Sequence, residues 1–257
     1  MAMMRTANPA LNKNTFTDFD AASGYEKMTI DGTVNKSFIM IVLLLATAIY
    51  SWNLFLSGNL QQGMVMFYGS LIVGLIVAIA TIFKKQWAPY TAPVYALAEG
   101  VVLGFISSLL ESLYPGIVIQ AVALTFGTFL CLLFAYKSGY IKATENFKLG
   151  VFAATGAVAL IYLVTFILGF FGKSIPYIHD NGTIGIIFSL IVVVIAALNL
   201  VLDFDFIEQG AKQNAPKYME WYAAFGLMVT LIWLYIEILR LLSKMRSRPK
   251  SRMPIPA

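Results

Sequence analysis

Along this chain apolar residues gather into seven long blocks, at 38–57, 65–83, 92–113, 116–136, 149–171, 182–206 and 221–242, with short polar breaks between them. About 20 apolar residues at a rise of about 1.5 Å each are enough to cross the hydrocarbon of a bilayer. The pattern therefore predicts an all-α integral membrane protein, a seven-transmembrane-helix bundle. Short connections make neighbouring helices antiparallel. The expected organisation is a polar N-terminal tail over 1–37, one membrane domain over 38–242 and a basic C-terminal tail over 243–257. Trp52, Trp87, Tyr90, Tyr114, Tyr136 and Trp221 stand at block ends, as an interfacial aromatic belt requires. No internal repeat is visible, so an inverted-repeat transporter finds no support.

Composition agrees with lipid as the solvent. The chain is 59% apolar and only 12% charged, where a soluble domain carries about 25% charge. The net charge of +5 sits beside the apolar blocks and reads as a topology signal rather than a nucleic-acid surface. Arg5, Lys13, Lys27 and Lys36 precede the first block. Lys84, Lys85, Lys137, Lys142, Lys148, Lys212 and Lys217 fall in alternate breaks on the same side, and Lys173 stands alone on the other. This asymmetry predicts a cytoplasmic N-terminus. The end of the chain opposes it: Arg240, Lys244, Arg246, Arg248, Lys250 and Arg252 follow a seventh crossing. Either the last block crosses despite its basic end, the preferred reading, or it is re-entrant. The first 36 residues lack a short apolar core, so no cleavable signal is expected. Cys131 lies alone in an apolar block and reads as a packing residue.

Small residues mark seams. Gly100 and Gly104 form a GxxxG continued by Ser107, Ser108 and Glu111; Ser70 with Gly74, and Ala153 with Ala157, repeat the spacing. Such positions let helices approach closely in lipid.

The candidate chemistry is acidic. Burying a carboxylate in hydrocarbon costs several kcal/mol, which makes an acid at membrane depth a candidate site. Glu99 lies seven residues past Ala92, about 10 Å in. Asn214 followed by Pro216 predicts the start of the last helix, with Asn214 as its cap. Asp203 then lies eleven residues from Asn214, about 16 Å in. Asn199 and Asp203, four apart, share a face. Asp205 is about 200° around the helix from Asp203 and groups with Glu208 and Gln209. Asp203 is thus expected to face the interior and Asp205 the entrance. Glu237 lies toward the far interface, with Arg240 three residues on. Each acid also has a plain structural reading: a wet helix end for Asp203 and Asp205, an interhelical hydrogen bond for Glu99, a salt bridge for Glu237. Carboxylates sharing a buried site titrate as a coupled group. A cluster such as Glu99 with Asp203 would act as a proton-sensitive latch, closed when protonated and open to cations when ionised.

Other chemistries lack their residues. No mid-span lysine in the last block could hold retinal. The one histidine, His179, sits in a polar break, away from any intramembrane serine. Leu-Asp-Phe-Asp is not the Gly-x-Gly-Asp of presenilin-type proteases. No phosphate-binding glycine loop or His/Cys metal spacing occurs. No enzyme is expected, no cofactor and no nucleic-acid partner.

Three stretches resemble the Bax inhibitor-1 (transmembrane Bax inhibitor motif) family, and within it the bacterial YccA-like branch: Ala92-Pro-Val-Tyr-Ala-Leu-Ala-Glu-Gly-Val-Val-Leu-Gly-Phe-Ile-Ser107, Leu200-Val-Leu-Asp-Phe-Asp-Phe-Ile207, and residues 223–242 ending in Leu-Arg-Leu-Leu. The likeness covers about 38–242. It implies a bundle with the last helix central, in a bacterial cell (inner) membrane. It also implies a pH-sensitive calcium leak gated by an aspartate pair between the sixth and seventh helices. Asp203 matches the sixth-helix aspartate. Thr230 stands where the seventh helix would carry the second, leaving Glu237, Glu99 or Asp205 to complete the pair. Calcium would be the permeant ion and not a resident metal, since calcium takes 6–8 oxygen ligands and these acids with Asn199 supply too few; transient calcium at Asp203 is the most they allow. The rival reading is a non-transporting regulator that binds membrane proteases or other membrane proteins; a proton-coupled transporter is a third.

Overall fold

The computed structural model describes residues 26–172 and 182–247. Arg5, Lys13, Lys173, His179 and the tail from Arg248 lie outside them. Among the described residues the chain forms α1 (Ile30–Leu56), α2 (Leu60–Phe83), α3 (Ala88–Leu113), α4 (Ile117–Lys137), α5 (Glu145–Phe170), α6 (Thr183–Lys212) and α7 (Met219–Ser247). All seven are long and apolar enough to cross a membrane.

The helices match the seven apolar blocks, and most extend further at their polar ends. α1 starts at Ile30, well ahead of position 38, because Thr29 caps it: the Thr29 side chain accepts from the Gly32 amide, satisfying one of the orphan donors of a first turn. Thr144 caps α5 in the same way, accepting from Phe147. α7 runs to Ser247, past 242. The α6–α7 turn differs from expectation. Asn214 does not cap α7; it takes a left-handed backbone (φ 53°), which Asn tolerates better than most residues, and it closes α6. Pro216 precedes the helix, its carbonyl accepting from Met219.

α7 is the axis of the bundle and packs against α1, α3, α4 and α6. Two buried clusters flank it. One gathers Tyr95, Phe206, Tyr222 and Phe225; the other gathers Ile117, Leu200, Phe204 and Leu234. α2 lies outside α3 and α1, and α5 packs along α6. The Gly100–Gly104 seam faces α1. A Cβ on Gly100 would stand 2.2 Å from the Leu44 carbonyl oxygen, and one on Gly104 2.2 Å from that of Ala48. Glycine is required at both because the obstacle is backbone. Glu111 does not extend this seam; its carboxylate turns to α4 and accepts from the amides of Gly116 and Val118 (3.0 Å to the latter).

Candidate functional site

The start of α1 and the turns α2–α3, α4–α5 and α6–α7 share one end of the bundle, here called the basic end for its lysines. Heights from that end follow from the helix rise. Asp203 is nine residues above Lys212, about 14 Å, Glu99 eleven above Ala88, about 16 Å, and Thr230 eleven above Met219, about 16 Å. Glu237, eighteen residues along α7, is about 27 Å up.

Asp203 is 1% exposed, on a stretch of α6 buried from Asn199 to Phe206. One turn away on its face, the Asn199 amide donates to the Thr155 hydroxyl of α5 and to the Ile195 carbonyl, both at 2.8 Å. Asn199 thus ties α5 to α6 beside the carboxylate. Thr230 is buried at similar height on α7, its hydroxyl donating to the Gly226 carbonyl at 3.3 Å, an inward bond common for threonine in lipid-embedded helices.

The remaining acids have partners of their own. Asp205 is buried, and its Oδ2 lies 2.7 Å from the Lys148 ammonium, which is itself buried in the first turn of α5 and 3.6 Å from Glu145. Glu208 is held by Tyr136 of α4 and by Lys212. Asp205 and Glu208 do lie toward the basic end, and there they bolt α4, α5 and α6 together. Glu99 turns to α2, its Oε1 3.3 Å from where a Gly74 Cβ would stand, with Tyr95 one turn back on the same helix. Glu237 accepts from Arg240 (2.9 and 3.1 Å) and from Tyr162 of α5 (2.9 Å), and Arg240 also donates to the Tyr162 hydroxyl at 2.6 Å. The salt-bridge reading describes Glu237. The contacts described for Asp205, Glu99 and Glu237 run to Lys148, to the α2 face and to Arg240 with Tyr162. Among the described residues, no group of three or more His, Cys, Asp or Glu could hold a metal ion.

Sequence reasoning passed over three groups. Lys148 was counted with the topology lysines, yet it is 6% exposed. Its signal was present: a cation in the first turn of a helix opposes the helix dipole and needs an acid nearby. Tyr162 carries no such signal. Glu220, in the first turn of α7, is 1% exposed. It accepts from the Thr29 amide and hydroxyl (3.0 Å each) and from Lys36 (2.7 Å). Beside it Met28 donates to the Ala215 carbonyl (2.7 Å) and Lys217 to that of Glu26 (2.8 Å). The Glu26 carboxylate also holds the exposed Lys217 ammonium above the ordinary lysine range. Together these contacts clasp the start of α1 to the start of α7. Gly32 makes room for it, since any Cβ there would overlap the Glu220 carboxylate.

A family model described as Bax inhibitor 1 like matches residues 8–247. No curated protein and no solved structure matches the chain.

Proposed function

This chain is an integral membrane protein of the Bax inhibitor 1 like family, and from that premise we propose that it is a proton-controlled cation leak, passing calcium down its gradient with Asp203 as the sensor. The lysine distribution would put the basic end in the cytoplasm, of a bacterial cell membrane. The observation that carries the proposal is the 1% exposure of Asp203, about 14 Å up from the basic end on α6, a helix that packs against the axial one. A carboxylate enclosed in a membrane span must be compensated or hydrated to carry its charge, so its charge is tied to how closely the helices pack around it. Protonated, it lets α6 rest on α7. Ionised, it draws water and a cation toward the axis.

Thr230 on α7 makes this a one-carboxylate device, since a threonine does not titrate. A coupled aspartate pair would release its protons in two steps. With a threonine in the second place, flux should follow a single-proton transition. Calcium flux in proteoliposomes across a pH series tests this. Asp203→Asn should flatten the pH dependence, and Glu99→Gln, altering a group turned to α2, should leave it in place. Flux identical to wild type at every pH in both variants would sink the latch.

One observation favours the second reading, a non-transporting regulator of membrane proteases or other membrane proteins. Asp205, Glu208, Glu220 and Glu237 are all ion-paired within the bundle, which suits a fixed scaffold. A stoichiometric membrane partner on purification, with no flux from the isolated protein, would decide for it.

A further inference from the structure

Toward the end opposite the basic one, a cavity of about 420 Å³ lies between α1 and α4, over a floor made by α3 and α7; ligand pockets run from about 300 to 1,000 Å³. Ile41, Ala48 and Trp52 form one wall and Val118, Val122 and Phe126 the other. From Ile41 to Trp52 the wall is eleven residues, or about 16 Å. That is close to half of a hydrocarbon core of about 30 Å, and the tryptophan stands at the end where an interfacial residue belongs.

The hydroxyls in the lining are already used. The Ser107 and Tyr235 hydroxyls share a 2.7 Å hydrogen bond, and the Thr125 hydroxyl donates to the Ala121 carbonyl at 2.7 Å. Apolar cavities do not hold water, and an empty one forfeits the dispersion contacts of its walls. The rim is continuous with the lipid-facing surface: Leu45 and Ile49, which line the cavity, are exposed. At the mouth there is a cation. The exposed Arg246 guanidinium donates to the Pro115 carbonyl (2.6 Å), three residues before Val118. The nearby Glu111 carboxylate is spent on the α4 amides.

We propose that this cavity is a phospholipid site: one acyl chain lies between α1 and α4, with the lipid phosphate at Arg246. The site is independent of the leak reading, because it rests on the cavity and the membrane location alone. In lipid nanodiscs, Trp87, Trp221 and Trp233 are replaced by phenylalanine so that Trp52 reports alone, and phospholipid with brominated acyl chains is titrated in. Trp52 should reach half-maximal quenching at a several-fold lower brominated fraction than a reference tryptophan on the outer face of α2 (Leu75→Trp in a Trp52→Phe background). Val122→Phe, which fills the cavity, should bring the two curves together. Native mass spectrometry should find one retained phospholipid on the wild type, lost in Val122→Phe and reduced several-fold in Arg246→Gln, a variant that leaves the apolar walls intact. Coincident quenching curves in the unfilled protein would overturn the proposal. So would lipid retention indifferent to both variants, or a dimer in place of the lipid adduct.

Discussion

At the scale of single residues, the pair that decides most is Lys148 with Asp205. Its side chains are 7% and 13% exposed, so each charge depends on the other. Breaking a buried pair leaves an uncompensated charge and costs about 3–5 kcal/mol, whereas replacing both members costs much less. Lys148→Met should therefore lower thermal stability in detergent markedly, and Lys148→Met with Asp205→Leu should recover most of the loss. A double-mutant cycle with no coupling would show that the pair holds nothing. Asp203 was legible from sequence because an acid inside an apolar run is anomalous on its own. For its neighbour Asp205 the sequence points to the basic end but not to the burial against Lys148. The partner that buries it stands 57 positions earlier and belongs to another helix, and no local pattern joins them.

At the scale of elements, the seven helices were legible because length and apolarity are all that a bilayer demands of a span. Their ends were less so. Residues 30–37 of α1 are held by a threonine cap, an ion pair and the clasp, none of which registers as hydrophobicity. The α1–α3 seam makes the sharper prediction. Gly104→Ala puts a Cβ 2.2 Å from the Ala48 carbonyl oxygen. Because the helix backbone must shift to admit it, the variant should lose about 1–3 kcal/mol, as overpacked sites do. Gly69→Ala is the control: nothing lies within 4 Å of that site, and a mid-helix glycine replaced by alanine changes stability by about 1 kcal/mol or less, in the favourable direction. Equal losses in chemical-denaturation midpoints would contradict the seam.

For the whole molecule, centrality is what apolarity failed to rank. α7 carries Glu220, Glu237, Arg240 and Lys244, yet it is the most enclosed helix. Lipid tails are as apolar as leucine, so burial follows close packing and satisfied polar groups rather than hydrophobicity. The small residues Ala223, Ala224 and Gly226 provide the packing. The charges mark where α7 is fastened: Glu220 to α1 at one end and Glu237 to Tyr162 of α5 further along. Hydrogen bonds to charged groups contribute about 1.5–3 kcal/mol. Glu220→Gln should therefore speed amide exchange at residues 29–33 by about tenfold or more, while leaving the middle of α3 protected. Unchanged exchange at the start of α1 would mean that the cap alone holds it.

The clasp has a consequence for how the chain is made. Thr29 and Glu220 are 191 positions apart, and α7 is the last of the seven spans to leave the ribosome. Until it arrives, α1, α3, α4 and α6 surround an axis that does not yet exist, and Lys36 waits without its carboxylate. The clasp therefore joins two of the most widely separated parts of the bundle in synthesis. A chain stopped before Glu220 holds every residue of the α1–α3 seam but none of the α7 half of the clasp.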